Sequence, residues 1–167
     1  MLYFIDTEFI ELGPNKPIHF LSLGVVREDG AEFYVENADA PFDLANDWVK
    51  ENVFPYLNIN KYGVPFGKIK WDLLNFMRDD SRPRFWANCG AYDWVVLCQL
   101  FGDMNYLPST FPFFCNDIKQ LQTHLLCSNL PKQGSTKHNA LNDAWHTKQC
   151  WEHLKKYGEE KGIILNY

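Results

Sequence analysis

An α/β domain is the fold class this sequence predicts. Strand-like runs come first and in succession, and helical and strand-like runs then alternate to the end. Leu2 to Ile5 is apolar and aromatic without a breaker, the pattern of a buried strand. His19 to Arg27 reads as a second strand with Gly24 inside it. Asp29-Gly30 then signals a tight hairpin, so Ala31 to Glu36 should return antiparallel as a third. A helix is expected near Leu44 to Glu51. The stretch from Val53 to Gly67, rich in Asn, Pro and Gly, is long for a loop and would frame a substrate or a dimer contact. Ile69, Leu73, Phe76 and Met77 give Lys68 to Arg78 helical spacing. Arg84 to Ala87 is a short fourth strand, and Tyr92 to Phe101 a helix stopped by Gly102. Phe111 to Cys115 is expected as a fifth strand. Asp117 to Leu126 should be a helix with Ile118, Leu121 and Leu125 on one side. Cys127 to Lys137 reads as a flexible loop. The last helix is capped by Asn139, runs to Tyr157 and ends at Gly158. In this scheme the first strand is central.

A chain of 167 residues is one ordinary domain, 1–167, and 46% apolar residues with 16% aromatic ones can build its core. A net charge of −5 argues against a protein that coats nucleic acid generically. It leaves room for an enzyme whose acidity is partly its own cation site, which turns positive only when loaded. Five cysteines, Cys89, Cys98, Cys115, Cys127 and Cys150, include no CxxC pair, so free buried thiols fit and a structural zinc site does not. The start MLYFIDTEF has neither the basic region nor the apolar run of a signal peptide or membrane helix. A soluble, intracellular, cytoplasmic protein without membrane contact is the expectation.

Three short segments carry chemistry. Asp6 and Glu8 lie two apart at the end of the first strand and so share one face. Two carboxylates side by side repel, and protonation or a hard cation relieves them. Asp93 falls in the first turn of a helix, where an acid also complements the helix dipole. The strand before it aims that turn at the carboxyl edge of a sheet, where α/β domains place their sites. Asp143 lies one turn into the last helix. His138 precedes the cap, so it belongs to the loop and can reach over the same site. Separately each is explained as well by a polar strand end, a dipole partner or a solvated surface. Together they are four acids and a histidine in order. Two divalent cations held by such acids can clamp a phosphodiester, one activating water and the other stabilising the leaving oxygen. Histidine as a residue type suits proton transfer at physiological pH, so His138 can take the water's proton.

Phe4-Ile5-Asp6-Thr7-Glu8-Phe9, Ala87-Asn88-Cys89-Gly90-Ala91-Tyr92-Asp93 and His138-Asn139-Ala140-Leu141-Asn142-Asp143-Ala144 resemble the three motifs of the DEDDh branch of the DnaQ-like, or RNase T-like, 3′–5′ exonucleases. Size, the start and "GAYDWVVLCQLFG" look most like a compact bacterial and phage group of 3′–5′ exoribonucleases. The resemblance implies an RNase H-like fold, a five-stranded mixed sheet flanked by helices. It implies two Mg²⁺ or Mn²⁺ ions: Asp6 bridging both, Glu8 and Asp143 on the ion that carries the attacking water, and Asp93 on the second. Cys89 and Gly90 stand where many relatives continue differently after the asparagine, which leaves the contacts to the 3′ nucleotide open. Thr7, Phe9 and Tyr92 are the candidates for those contacts. An aromatic such as Phe9 can stack on any base, and it fits a core position equally well. The implied partner is single-stranded nucleic acid, RNA ahead of DNA. Pairing into a homodimer would supply basic surface that this acidic chain lacks.

A DNA exonuclease, a phosphodiesterase for very short oligonucleotides and a non-catalytic nucleic-acid-binding module are the other readings. The last has no need of four acids and a histidine. Lys132 and Lys137 could meet phosphates but read first as solvated. The six tryptophans read mainly as core, His19 and His124 as structural. His146 and His153 lack evident carboxylate partners for a metal role.

Overall fold

The computed structural model describes residues 1–77, 80–134 and 137–164. Among these, six strands form one mixed sheet: β1 (Leu2–Glu11), β2 (Ile18–Arg27), β3 (Glu32–Asn37), β4 (Gly63–Val64), β5 (Arg84–Ala87) and β6 (Asn116–Asp117). Their order is β4-β3-β2-β1-β5-β6, with β1 inside the sheet as expected. The helices are α1 (Asp47–Asn52), α2 (Ile59–Tyr62), α3 (Phe66–Met77), α4 (Ala91–Gln99), α5 (Ile118–His124) and α6 (Ala140–Glu160).

Alternation along β1 divides the core. Tyr3 and Ile5 pack with Ile69 and Leu73 of α3 and Leu97 of α4. Leu2 and Phe4 pack with Ile118 of α5 and with Ala144, Cys150 and Leu154 of α6. Helices therefore cover both faces of the central strand. A third cluster, Ile10, Leu21, Val49 and Val53, holds α1 against the far ends of β1 and β2. Six residues are too few for a helix to stand alone. Burial of Val49, worth about 1.5–3 kcal/mol, is what fixes α1.

The β1–β2–β3 meander and the turn at Gly30, φ +90°, follow the expected pattern. Three boundaries do not. β1 does not end at Asp6-Thr7-Glu8 but runs to Glu11, because β2 stays paired with it throughout, with a bulge between Glu8 and Phe9. Its parallel partner β5 faces only Leu2 to Phe4, so Asp6 onward stands clear of β5. Phe111 to Cys115 is not a strand. Pro112 cannot donate to a ladder, Phe113 and Phe114 are exposed, and pairing with β5 begins only at Asn116. Gly158 does not end the last helix, which continues to Glu160. The sheet has six strands rather than five because two residues of the expected 53–67 loop, Gly63 and Val64, pair in parallel with Glu36 and Asn37. Arg78, the expected end of the helix from Lys68, and positions 135 and 136 of the expected loop lie outside the described residues.

Two of the six tryptophans depart from the core: Trp48 and Trp71 are exposed. All five cysteines are free, but Cys89 is exposed rather than buried. Among the described residues no helix is long and apolar enough to cross a membrane.

Candidate active site

Gly24 brings the three motifs together. It pairs with Asp6 across β1 and β2. A Cβ on it would lie 2.2 Å from the Ala140 carbonyl oxygen, so only glycine lets the start of α6 descend onto the sheet here. Asn139 caps α6 by accepting from the Asn142 N–H at 3.1 Å. That start therefore carries Asp143 in its first turn and His138 just before its cap. From the other side, β5 ends at Ala87 and α4 begins at Ala91, placing Asp93 in its first turn. Gly90 at that turn donates to Asp117 at 2.7 Å.

The result is an open groove of about 360 Å³ whose walls include Asp6, Glu8, Asp93, His138 and Asp143. Ligand atoms of Glu8, His138 and Asp143 all lie within 4.8 Å of one another. A larger hollow of about 600 Å³ lies by Met1 and Arg84, at the opposite ends of β1 and β5, and among the described residues no carboxylate or histidine lines it. Chemistry, not size, marks the groove as the site.

Each acid has a distinct setting. The Thr7 N–H and hydroxyl both donate to Asp93 Oδ1, each at 2.8 Å. Thr7 and Asp93 are buried, so this pair of hydrogen bonds across 86 positions fixes the carboxylate against β1. Asp143 Oδ2 accepts the His138 N–H at 2.8 Å, and its Oδ1 accepts from the Gln133 side chain. Burial raises all four acids. Asp6 goes well above the carboxylate range, through burial first and then the charges of Asp93, Asp143 and Glu8. Glu8 rises to about 8, again by burial and then by Asp143 and Asp93. Asp93 reaches about 6, burial prevailing over the bonds from Thr7, and Asp143 is raised too. Among the described residues no lysine or arginine forms an ion pair with any of the four. Four crowded acids without a lysine or arginine partner among the described residues fit a hard divalent cation held by oxygen.

The expected substrate candidates line the same groove. Phe9 and Tyr92 stack with centroids 5.4 Å apart at 13°. Thr7 lines it as well, although its hydrogen-bond donors are taken by Asp93. Lys137 lines the groove and Lys132 does not. Gln133 goes unread in the sequence, and His146 is set aside there for want of a carboxylate partner; the structure corrects this, since His146 lines the groove together with Asp143. For His146 the signal was present, since Asp143 stands three residues earlier on the same helical face. For Gln133 there was none, because loop spacing carries no period.

A mixed six-stranded sheet with helices on both faces of its central strand and acids at its carboxyl edge is the RNase H-like architecture of 3′-exonucleases. A 3′-exonuclease solved in a study of histone mRNA stem-loop recognition superposes with a TM-score of 0.59 at 11% identity, over 95% of this chain and 63% of that one. This chain thus spans less than two thirds of that neighbour. S. pombe Pop2p in its Mg²⁺- and Mn²⁺-bound form gives 0.53 at 12% identity, over 93% of this chain and 82% of that one. Within this class the chain belongs to the family of Rv2179c-like 3′–5′ exoribonuclease domains, whose model matches residues 1–155. Two curated relatives are 40% identical over 148 residues, 86% of this chain and 87% of theirs: the 3′–5′ exoribonucleases Rv2179c and MT2234.1 of Mycobacterium tuberculosis, strains H37Rv and CDC 1551.

Proposed function

We propose that this chain is a 3′–5′ exoribonuclease that removes nucleoside 5′-monophosphates from single-stranded or 3′-overhang RNA. The observation that carries the reading is the meeting of Glu8, His138 and Asp143 within 4.8 Å, beside Asp6 and Asp93 in one groove. Asp6, Glu8, Asp93 and Asp143 would hold two Mg²⁺ or Mn²⁺ ions, which when bound supply water activation and compensation of charge at the leaving oxygen. Thr7 keeps Asp93 in place by its two hydrogen bonds. His138 takes the proton of the attacking water at an imidazole nitrogen. The water oxygen bonds to phosphorus as the bond from phosphorus to the preceding 3′-oxygen breaks. The released 3′-oxygen takes a proton from solvent, so one nucleoside 5′-monophosphate leaves and a new 3′-hydroxyl remains. The Phe9–Tyr92 stack, with Tyr92 half exposed, offers a face to the terminal base whatever its identity. Thr7 would meet the terminal sugar through its backbone. RNA as the substrate rests on the names of the two relatives. An open groove, rather than an enclosed pocket, suits a polymer more than a dinucleotide. Free thiols, including the exposed Cys89, suit a reducing cytoplasm.

Digestion of RNA and DNA of one sequence, labelled at either end, tests the proposal. A 5′-labelled RNA should shorten one nucleotide at a time and a 3′-labelled RNA should release labelled monophosphate at once. EDTA should stop both and Mn²⁺ or Mg²⁺ restore them. Faster digestion of the DNA, or an endonucleolytic pattern, would overturn it.

The acids also set a pH dependence. Acids raised on folding favour the folded state fully below their unfolded values. That contribution fades as pH rises through the folded ones. The window runs from the ordinary values, 3.8 for Asp93 and 4.5 for Glu8, up to about 6 and about 8. In EDTA, thermal stability should therefore fall between about pH 4 and about pH 8, by a few kcal/mol in total. Saturating Mn²⁺ should flatten the decline, since the cation replaces the protons. A melting temperature that falls equally with and without Mn²⁺ would contradict the cation assignment.

A further inference from the structure

Trp48 is 54% exposed, although its size suits the core. Its indole meets the His138 imidazole edge to face, with ring centroids 4.9 Å apart at 82°. The mount is firm. Asn46 caps α1 by accepting from the Val49 N–H at 2.9 Å, Val49 is buried with Ile10 and Leu21, and the Asn52 side chain donates to the Trp48 carbonyl at 2.9 Å. Trp48 is not among the residues that line the groove, whereas His138 is.

The main chain of His138 is already fixed. Its φ is +68°, the left-handed region that a residue with a Cβ adopts at a cost. Its N–H donates to Asp143 at 2.8 Å. Neither constraint sets the side-chain torsions, and a histidine on a loop can turn its ring among several rotamers. A proton acceptor that spends part of its time turned away loses rate in proportion. The indole opposes that turning, and α1 carries it against the imidazole.

We infer that Trp48 is a positioning residue for the reaction: it holds the His138 ring over the carboxylates in the orientation that accepts the water's proton. This rests on the reading of His138 as general base. Trp48 would touch neither cation nor substrate.

The test is a double-mutant cycle of Trp48→Ala with His138→Ala, with Trp48→Phe as the conservative variant, on a 5′-labelled oligoribonucleotide at saturating Mn²⁺. Trp48→Ala should lower kcat about five- to tenfold, the rate equivalent of an aromatic pair, and leave KM within about twofold. Trp48→Phe should recover most of that loss, since a phenyl ring can make a similar aromatic contact. In the His138→Ala background, removal of Trp48 should cost nothing more. Without turnover or cation, the His138 ring-proton resonance should shift in Trp48→Ala as the indole's ring current is lost. A raised KM at unchanged kcat would make Trp48 a substrate contact and overturn the inference. So would an undiminished loss in the His138→Ala background, or an unmoved His138 resonance. Wild-type kcat in Trp48→Ala beside an impaired His138→Ala sinks the inference alone. Wild-type kcat in His138→Ala sinks the general-base reading and takes this inference with it.

Discussion

Asp6→Asn should abolish phosphodiester hydrolysis and, at the same time, make the cation-free protein more stable. Asp6 stands on β1 beyond the end of its parallel partner, on the face turned toward α6, with the charges of Asp93, Asp143 and Glu8 bearing on it. The position serves binding of cations and works against the empty fold. An unfolded Asp6 ionises freely above the ordinary 3.8, whereas the folded one must either take a proton or carry charge among like charges. Asparagine keeps the shape and removes the conflict. Each kcal/mol relieved should raise the melting temperature in EDTA by roughly 2–4 °C for a domain of this size. Activity should move the other way. The charge stabilisation that bound cations supply is worth several kcal/mol, which at about 1.4 kcal/mol per tenfold is a loss on the order of 10³-fold. Calorimetry in EDTA near pH 8 and a discontinuous assay with Mn²⁺ measure the two sides. A variant that is less stable without cation and still active would mean that Asp6 is a structural residue.

Opposed effects of this kind separate a site from a scaffold, and they bear on what could be read before the structure. Asp6 and Glu8 could be paired from the period of a strand, Asp143 from the cap at Asn139, and His138 from its place just outside that cap. Each follows from local geometry: the second and third segments fall at a helix start and just before a helix cap as expected, while the first lies inside β1 rather than at its end. Asp93 was locally ambiguous, since a helix start accounts for an acid. Its placement in the groove is fixed by Thr7, which donates to it twice across 86 positions, and no local pattern reports such a contact. β4 and β6 have two residues each, too short for any alternation to register. Trp48 was placed in the core because large aromatics dominate cores. It stands outside because α1 is anchored by its neighbour Val49, which turns the next side chain toward the lip. Gly24 was visible as a glycine inside a strand. That it makes room for the start of α6, and so assembles the site, appears only when the helix is in place.

His138→Ala should lower kcat by about 10²–10⁴-fold, the range for a positioned general acid or base, while Mn²⁺ affinity stays within a few-fold of wild type. The geometry makes this a sharp test, because His138 lies close enough to Glu8 and Asp143 to be read as a third ligand. Two observations favour the base. Four carboxylates already crowd the groove, and cations such as Mg²⁺ prefer oxygen to imidazole. The His138 N–H is also bonded to Asp143, so the residue is tied to a candidate ligand through its backbone and its ring is left for another task. Loss of the ring should therefore leave the oxygen ligands where they are and remove only the proton acceptor. Calorimetric titration with Mn²⁺ and single-turnover digestion of labelled RNA read the two quantities separately. If affinity falls more than about tenfold together with kcat, the imidazole belongs to the cation. The proton must then go to another group, and His146, on the same face of α6 as Asp143 and lining the same groove, is the residue to change next.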